Sequence, residues 1–167
     1  TGIAQAAAAF SPVVSIAGFI STKDKIQDAF QGIDQQSLFK PITKKTWTIN
    51  KAKKIPKIFS NAFNLAMSPR RGPVQLNLPR NILSETTKFN INKNEKSYET
   101  IDTTKGKEGD IKKAVKIIGS ATKPVIIVGG GIKYTGNYKE VIKLAELINT
   151  PIVTAAGHGD AVPFNHK

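Results

Sequence analysis

The chain has no cysteine and only two histidines among its 167 residues. The absence of cysteine excludes disulfide bonds and thiolate metal sites, and two histidines alone cannot form a histidine-rich metal site. Long apolar runs are also missing, because the most apolar stretch, residues 3–20, is interrupted at Gln5, Ser11, Pro12 and Ser15. The sequence therefore predicts neither a membrane span nor a signal peptide, and we expect a cytoplasmic protein.

Negative charge is scarce, since 12 acidic residues face 25 basic ones and give a formal net charge of +13. Nucleic-acid-binding proteins concentrate positive charge on one face and interleave it with aromatic residues. Here the basic residues are scattered, and the densest runs, at residues 44–45 and 51–57, alternate with apolar residues at helical spacing. A solvated helix face explains this pattern. We therefore predict no nucleic-acid partner, with a basic nucleic-acid binder as an open alternative.

Short apolar runs alternate with segments of helical periodicity along the chain. Strands are predicted at residues 13–18, 46–49 and 74–79, each a short apolar run near turn signals. Residues 4–10 are alanine-rich and favour a helix. Residues 55–66 carry apolar side chains at the i, i+3, i+4, i+7 spacing of an amphipathic helix. This alternation predicts an α/β fold with parallel, doubly wound sheets.

Residues 84–108 lack any such periodicity and are mostly polar. Because a structureless stretch of this length is uncommon inside a compact domain, we predict an interdomain linker there. Residues 109–167 resume the pattern with two helical faces and two apolar runs. We therefore expect two partial α/β domains, residues 1–83 and residues 109–167. The chain starts without methionine inside a predicted helix, so we expect it to be an internal piece of a longer protein.

Three consecutive glycines, Gly129, Gly130 and Gly131, follow a predicted buried strand. Such a cluster lets the backbone approach a phosphate, and the N-terminus of the next helix favours negative charge. The spacing departs from G-x-G-x-x-G, and no acidic residue marks the end of the next strand. A simple tight turn and a nucleotide contact both remain open, so a non-catalytic nucleotide-binding module is one candidate function.

Other candidate site residues follow the predicted strands on their carboxyl side. Phe30, Gln31 and Asp34 come after the first strand by a short loop, and Arg80 lies just past the strand at residues 74–79. Ligands of open α/β sheets bind outside the carboxyl ends of the strands. Arg80 is therefore well placed for an anionic group. An exposed turn and a surface arginine are the alternatives for these residues.

Four segments, taken in order, resemble a known family. They are TGIAQAAAAFSPVVSIAG, AFQGIDQQSLFKPITK, IPKIFSNAFNLAMSPRRGPVQLNLPR and KPVIIVGGG. Together they resemble the thiamine-diphosphate enzymes of the acetolactate synthase group, including its sulfoacetaldehyde acetyltransferase-like members. The resemblance implies that residues 1–83 are the second half of an N-terminal pyrimidine-binding domain. It implies that residues 109–167 are the start of a central, Rossmann-like domain.

The resemblance also implies an activity. With thiamine diphosphate and Mg²⁺, such an enzyme decarboxylates a 2-keto acid and transfers the resulting C2 unit to an acceptor, as a homodimer or homotetramer. The cofactor-activating glutamate is expected upstream of residue 1, and the segment that holds Mg²⁺ and the diphosphate is expected downstream of residue 167. An arginine at position 80, where acetolactate synthases usually carry lysine, leaves a sulfoacetaldehyde acetyltransferase as the alternative.

The resemblance also implies which residues of this chain line the active site. The loop with Phe30 and Gln31 resembles the loop that closes over the active site at a subunit interface, and Arg80 would face the substrate channel. Arg70 and the glycines at 129–131 resemble residues near the flavin of flavin-containing members, which makes FAD a further candidate cofactor. The sequence departs from the family at Gly32, usually a glutamate, and at residues 157–159, usually an apolar turn.

Overall fold

The computed structural model describes residues 1–88 and 105–166. The chain divides into two compact units, residues 1–100 and 101–167. Most of the predicted linker at residues 84–108 lies outside the described residues, so its nature stays a prediction. Its last residue, Glu108, is already the first residue of a helix.

The first unit is built on a three-stranded parallel sheet. Its elements are α1 Gly2–Ala8, β1 Val14–Phe19, α2 Gln35–Phe39, β2 Thr46–Thr48, α3 Ile55–Met67, β3 Val74–Pro79 and α4 Arg80–Leu83. The strand order is β1-β3-β2, and both outer strands run parallel to β3. Because parallel neighbours need a crossover, α3 serves as the connection between β2 and β3.

The apolar core of this unit lies between α3 and one face of the sheet. Ala62 and Ala66 of α3 are buried against Val74 and Leu76 of β3. Alanines on the inner side of the helix allow its backbone to approach the strand closely, and the larger Ile58 packs at the edge of this cluster. The helical periodicity in the sequence therefore identifies the face that is buried.

The opposite face of β3 is polar although it is equally buried. Gln75 and Asn77 are fully buried. The Gln75 side-chain amide donates to Asn77 Oδ1 at 2.9 Å, and the Asn77 amide donates to Thr48 Oγ1 at 3.3 Å. Buried polar groups need such partners, because an unpaired amide in the interior costs free energy. Gln75 Oε1, in contrast, is buried without a partner among the described residues. The central strand is thus held by packing on one face and by hydrogen bonds on the other.

The second unit is a smaller α/β arrangement. Its elements are α5 Glu108–Ser120, β4 Ile126–Val128, α6 Ile132–Thr135, α7 Tyr138–Leu147 and β5 Ile152–Thr154. β4 and β5 pair in parallel, with Ile126 opposite Ile152. The Thr150 hydroxyl donates to the carbonyl of Pro124 and so links the segments that precede the two strands.

The predicted α/β fold with parallel sheets is confirmed. The strand at 74–79 has the predicted bounds, the first strand is shifted by one residue, and the predicted helix at residues 4–10 begins earlier, at Gly2. The short helices α2, α4 and α6 were not predicted, since four or five residues are too few to show a period. Within the described ranges, no helix is long and apolar enough to cross a bilayer.

Lys44 closes the carboxyl end of α3. Its ammonium Nζ donates to the Leu65 carbonyl at 2.6 Å, to Ser68 Oγ at 2.6 Å and to the Ser68 carbonyl at 3.2 Å. The last carbonyls of a helix lack partners inside the helix, and a cation also complements the helix dipole there. Partial burial lowers the pKa of Lys44 below its ordinary value.

We expect Lys44→Met to lower the free energy of unfolding by about 1–2 kcal/mol, because hydrogen bonds from a charged donor are lost while the apolar stem is kept. Lys57→Met, at an exposed position of α3, is the matched control and should change it by less than about 0.5 kcal/mol. Urea unfolding of the chain, followed by the fluorescence of its single tryptophan, Trp47, measures both. Equal midpoints for the two variants would contradict the capping role.

Candidate functional site

A cavity opens where β1 and β3 end. The two strands run in register, with Gly18 opposite Leu78 and Phe19 opposite Pro79, so the segments that follow them leave the sheet side by side. The cavity has a volume of about 880 Å³ and is lined by Gly18, Phe19, Ile20, Asp24, Lys25, Ala29, Phe30, Gln31, Ile33, Gln35 and Arg80. This volume is in the range of small-molecule sites. The predicted pocket residues Phe30, Gln31 and Arg80 therefore line one cavity.

The loop that carries Phe30 and Gln31 is tightly turned. Gln31 adopts a left-handed backbone with φ of 62°, and the Gly32 amide donates to the Ala29 carbonyl at 2.8 Å. A left-handed glutamine is uncommon, and such strained residues cluster at functional sites. The Phe30 side chain is 90% exposed at the cavity. The turn thus presents an aromatic ring and a side-chain amide to the cavity.

Gly32 has a steric role in this turn. A Cβ atom at this position would lie 2.0 Å from the Ile26 carbonyl oxygen and 2.8 Å from the Ala29 carbonyl oxygen. Both neighbours are backbone atoms, so any side chain would force the loop to move. The departure at Gly32 from the glutamate usual in the family therefore belongs to a loop that is folded more tightly than a glutamate would permit.

Helix α2 holds this loop against β1. Asp34 caps the helix, because its carboxylate accepts from the Ser37 amide at 3.0 Å and from the Ser37 hydroxyl at 2.6 Å. These hydrogen bonds lower the pKa of Asp34 below its ordinary value. Gln35 follows and donates to the Gly18 carbonyl at 3.0 Å. Its Oε1 atom is buried and has no hydrogen-bond partner among the described residues, so it remains available as an acceptor.

Arg80 starts α4 at the carboxyl end of β3. Its NH2 group donates to Asp24 Oδ2 at 2.8 Å, and the two side chains are 74% and 32% exposed. Sequence reasoning identified Arg80 but missed Asp24 and Gln35, because neither lies in a recognisable motif. Chemically, the cavity offers amides, an aromatic ring, cations and one carboxylate. This set can bind and orient a small polar anion.

Arg70 lies at a second cavity of the first unit. This cavity of about 550 Å³ is lined by Ala7, Phe10, Pro41, Ile42, Thr43, Lys44, Pro69, Arg70, Arg71, Gly72 and Pro73. The Arg70 guanidinium carbon is 5.2 Å from the centroid of the Phe10 ring. Arg70 and Phe10 both have left-handed backbones, with φ of 53° and 52°. Arg70 is therefore not part of the cavity that holds Phe30, Gln31 and Arg80.

The glycines at 129–131 follow β4 in the second unit, and His158 comes from the loop after β5. A Cβ atom at Gly130 would lie 2.8 Å from His158 Cε1, so the imidazole covers this glycine. His158 Nδ1 is buried without a hydrogen-bond partner in the described part of the chain. Nearby, Lys133 Nζ is 3.1 Å from Asp160 Oδ1 and holds the pKa of this carboxyl below its ordinary value. Gly129 and Gly131 have open space at their Cβ positions.

Among residues 1–88 and 105–166, no group of three or more His, Asp or Glu side chains is arranged to hold a metal ion.

The chain is similar to known proteins over nearly its whole length. It is 39% identical to a probable acetolactate synthase large subunit of Methanococcus aeolicus, covering 99% of this chain and 28% of that protein. It is 40% identical to the acetolactate synthase large subunit of Buchnera aphidicola subsp. Schizaphis graminum, covering 99% of this chain and 29% of that protein. It is 33% identical to the large subunit of Escherichia coli acetolactate synthase isozyme 3, covering 100% of this chain and 29% of that protein.

The family profile for the thiamine pyrophosphate enzyme central domain matches residues 111–167. Over these residues the chain is similar to the thiamine pyrophosphate enzymes. The predicted resemblance to the acetolactate synthase group is thereby confirmed. A solved structure from Mycobacterium smegmatis, described as a thiamin diphosphate-dependent enzyme, superimposes with a TM-score of 0.70 at 21% identity, over 93% of this chain and 29% of that chain. This structural likeness supports the α/β fold of the chain.

We expect Gly32→Ala to disrupt the turn, because the added methyl group would collide with two backbone carbonyls. Loss of the Gly32–Ala29 hydrogen bond should speed amide exchange at position 32 roughly five- to tenfold. Gly18→Ala is the matched control, since this glycine lines the same cavity and a Cβ there meets nothing within 4 Å. Hydrogen–deuterium exchange over residues 26–34 measures both variants. The same exchange rate in the two variants would show that Gly32 is not sterically required.

Proposed function

We propose that the chain is part of a thiamine-diphosphate-dependent, acetolactate synthase-like enzyme. This enzyme decarboxylates a 2-keto acid and transfers the resulting C2 unit to an acceptor. The observation that carries the proposal is the similarity to acetolactate synthase large subunits over 99% of the chain. The chain spans only 28 to 29% of these relatives, so the activity, substrates and partners of the whole protein are part of the proposal.

The proposed domain plan follows the resemblance. Residues 1–83 form the second half of the pyrimidine-binding domain, residues 84–108 the linker, and residues 109–167 the start of the central domain. The division of the chain into units 1–100 and 101–167 supports two bodies. In the whole enzyme, we propose a homodimer or homotetramer in the cytoplasm.

The roles of the pocket residues follow from their chemistry. Bound thiamine diphosphate supplies the electron sink for decarboxylation. Phe30 gives the cavity an apolar wall, and the Gln31 amide can donate to or accept from a keto or hydroxyl oxygen. Arg80 can pair with a substrate carboxylate through its guanidinium. The chain's own contribution is therefore to bind and orient the substrate beside the cofactor.

The cavity fits the reacting end of the cofactor better than its diphosphate. About 880 Å³ of space beside an exposed phenyl ring, a buried Gln35 acceptor without a partner among the described residues, and the cations Lys25 and Arg80 suits a ring and a small anionic substrate. The described residues contain no cluster for a metal ion. We propose that Mg²⁺ and the diphosphate are held by segments outside residues 1–167.

FAD is a further candidate cofactor with weaker support. The open space beside Gly129 and Gly131 would let a ligand approach the backbone, and the Arg70 guanidinium faces a cavity with an aromatic neighbour. Gly130, in contrast, is covered by the His158 ring. The visible absorption spectrum of the purified full-length protein tests this, since bound flavin, like free flavin, absorbs near 450 nm.

The alternatives have less support. A sulfoacetaldehyde acetyltransferase rests on Arg80 and on the stretch QLNLPR that ends in it, and the relatives named above are acetolactate synthases. A nucleotide-binding module without catalysis rests on the glycines at 129–131, whose central member is covered. The full-length protein should form acetolactate from pyruvate when supplied with thiamine diphosphate and Mg²⁺. Activity on sulfoacetaldehyde plus phosphate, with none on pyruvate, would overturn the proposal.

We expect Gln31→Asn to lower kcat/KM for pyruvate by about tenfold, the equivalent of one hydrogen bond of roughly 1.4 kcal/mol. Asparagine tolerates the left-handed backbone at this position, so the turn is kept while the amide is drawn back by one methylene. Gln36→Asn is the matched control, because Gln36 is exposed on α2 and lies outside the cavity lining. Steady-state kinetics with pyruvate measures both, and unchanged kinetics in Gln31→Asn would remove Gln31 from the pocket.

A further inference from the structure

The loop after β1 is fixed to the start of α4. The Thr22 amide donates to Asn81 Oδ1 at 3.0 Å, and the Asn81 amide donates back to Thr22 Oγ1 at 3.0 Å. The Asp24 amide donates to the Ser21 carbonyl at 3.0 Å, and Ser21 is buried. Asp24 is thus held on an anchored turn directly opposite the guanidinium of Arg80.

The Arg80 side chain of the Arg80–Asp24 pair is exposed, and its guanidinium contacts Asp24 through one nitrogen atom. A single contact, NH2 to Oδ2 at 2.8 Å, joins the two side chains. Exposed ion pairs contribute little to stability. Arginine has five N–H donors in a planar fork, and within residues 1–88 and 105–166 the Arg80 side chain makes no second hydrogen bond. Four donors therefore remain for a ligand while Asp24 fixes the direction of the fork.

The charge of the cavity is set by three of its lining residues. Arg80 and Lys25 are cations, Asp24 is an anion, and the other lining residues are uncharged. The cavity therefore carries one net positive charge at neutral pH. Such a site matches an oxyanion with one negative charge, whereas a second negative charge would meet the Asp24 carboxylate without a cation to balance it.

We propose that Asp24 is a specificity-determining residue, which orients Arg80 and makes the cavity select singly charged over doubly charged oxyanions. The inference deepens the proposed function, because it gives the substrate class of the same cavity. A 2-keto acid carries one carboxylate and fits this class. A phosphorylated substrate with a dianionic group does not fit it.

Sulfate and methanesulfonate are suitable probes, since both are tetrahedral oxyanions and they differ by one charge. Calorimetric titration of the full-length protein should show methanesulfonate binding at least as tightly as sulfate. In Asp24→Asn, the affinity for sulfate relative to methanesulfonate should rise about fivefold, which corresponds to the roughly 1 kcal/mol between unit charges 4 Å apart in water. Arg80→Gln should abolish the binding of both ions.

Asp110→Asn is the matched control, because it makes the same substitution at an exposed residue outside the cavity lining. Its ion preference should equal that of the wild type. The double variant Asp24→Asn/Lys25→Gln restores one net positive charge and should restore the wild-type preference. If Asp24→Asn does not fold, Asp24→Ser removes the same charge with a smaller side chain and should change the preference in the same direction.

An unchanged sulfate-to-methanesulfonate ratio in Asp24→Asn, or in Asp24→Ser where the first variant does not fold, would overturn the proposal. So would the binding of neither ion to the wild-type cavity. Because these titrations do not measure turnover, they separate this inference from the proposed function. Pyruvate activity with an unchanged ion ratio would reject only the role of Asp24, and the predicted ratio without pyruvate activity would reject only the proposed reaction.

Discussion

The parallel pairing of β1 with β3 is the constraint on which the site depends. It brings Gly18 and Phe19 level with Leu78 and Pro79, so the segment after each strand starts at the same edge of the sheet. The register of β3 is fixed because one of its buried faces is apolar and the other is polar. Leu76 packs against α3, and Asn77 is paired through hydrogen bonds. A slip by one residue would exchange these faces and bury amides in the apolar core.

This constraint joins residues that are far apart in the sequence. Asp24 and Arg80 are separated by 56 positions, and the strands that carry them into contact pair residues such as Val14 and Val74. The turn at Gln31 and Gly32 is likewise supported from outside, because α2 fastens it to β1 through Gln35 and Gly18. The sheet therefore places the side chains, and the short loops set their direction. Strain at Gln31 can persist because its neighbours on both sides are fixed.

The sequence predicted the regular parts of the fold and only some of the residues that line the cavity. The strand at 74–79 and the helix beginning at Ile55 were identified because buried apolar residues have a clear period. Phe30, Gln31 and Arg80 were identified because they follow strands on the carboxyl side. Asp24 could not be found, since an ion pair between distant loops leaves no local pattern. The same is true of His158, whose contact with Gly130 depends on the pairing of β4 with β5.

Charge acts on this protein at two length scales that have opposite consequences. The net charge of +13 is spread along the chain and attracts anions in general, and a dianion is attracted more strongly than a monoanion. This field is screened over about 8 Å at physiological ionic strength. The discrimination that we propose against a second charge therefore requires a carboxylate inside the cavity, within hydrogen-bond reach of the guanidinium that receives the anion. Asp24, 2.8 Å from Arg80, satisfies this distance requirement. The net positive charge of the surface therefore attracts anions in general, but it does not determine which of them bind in the cavity.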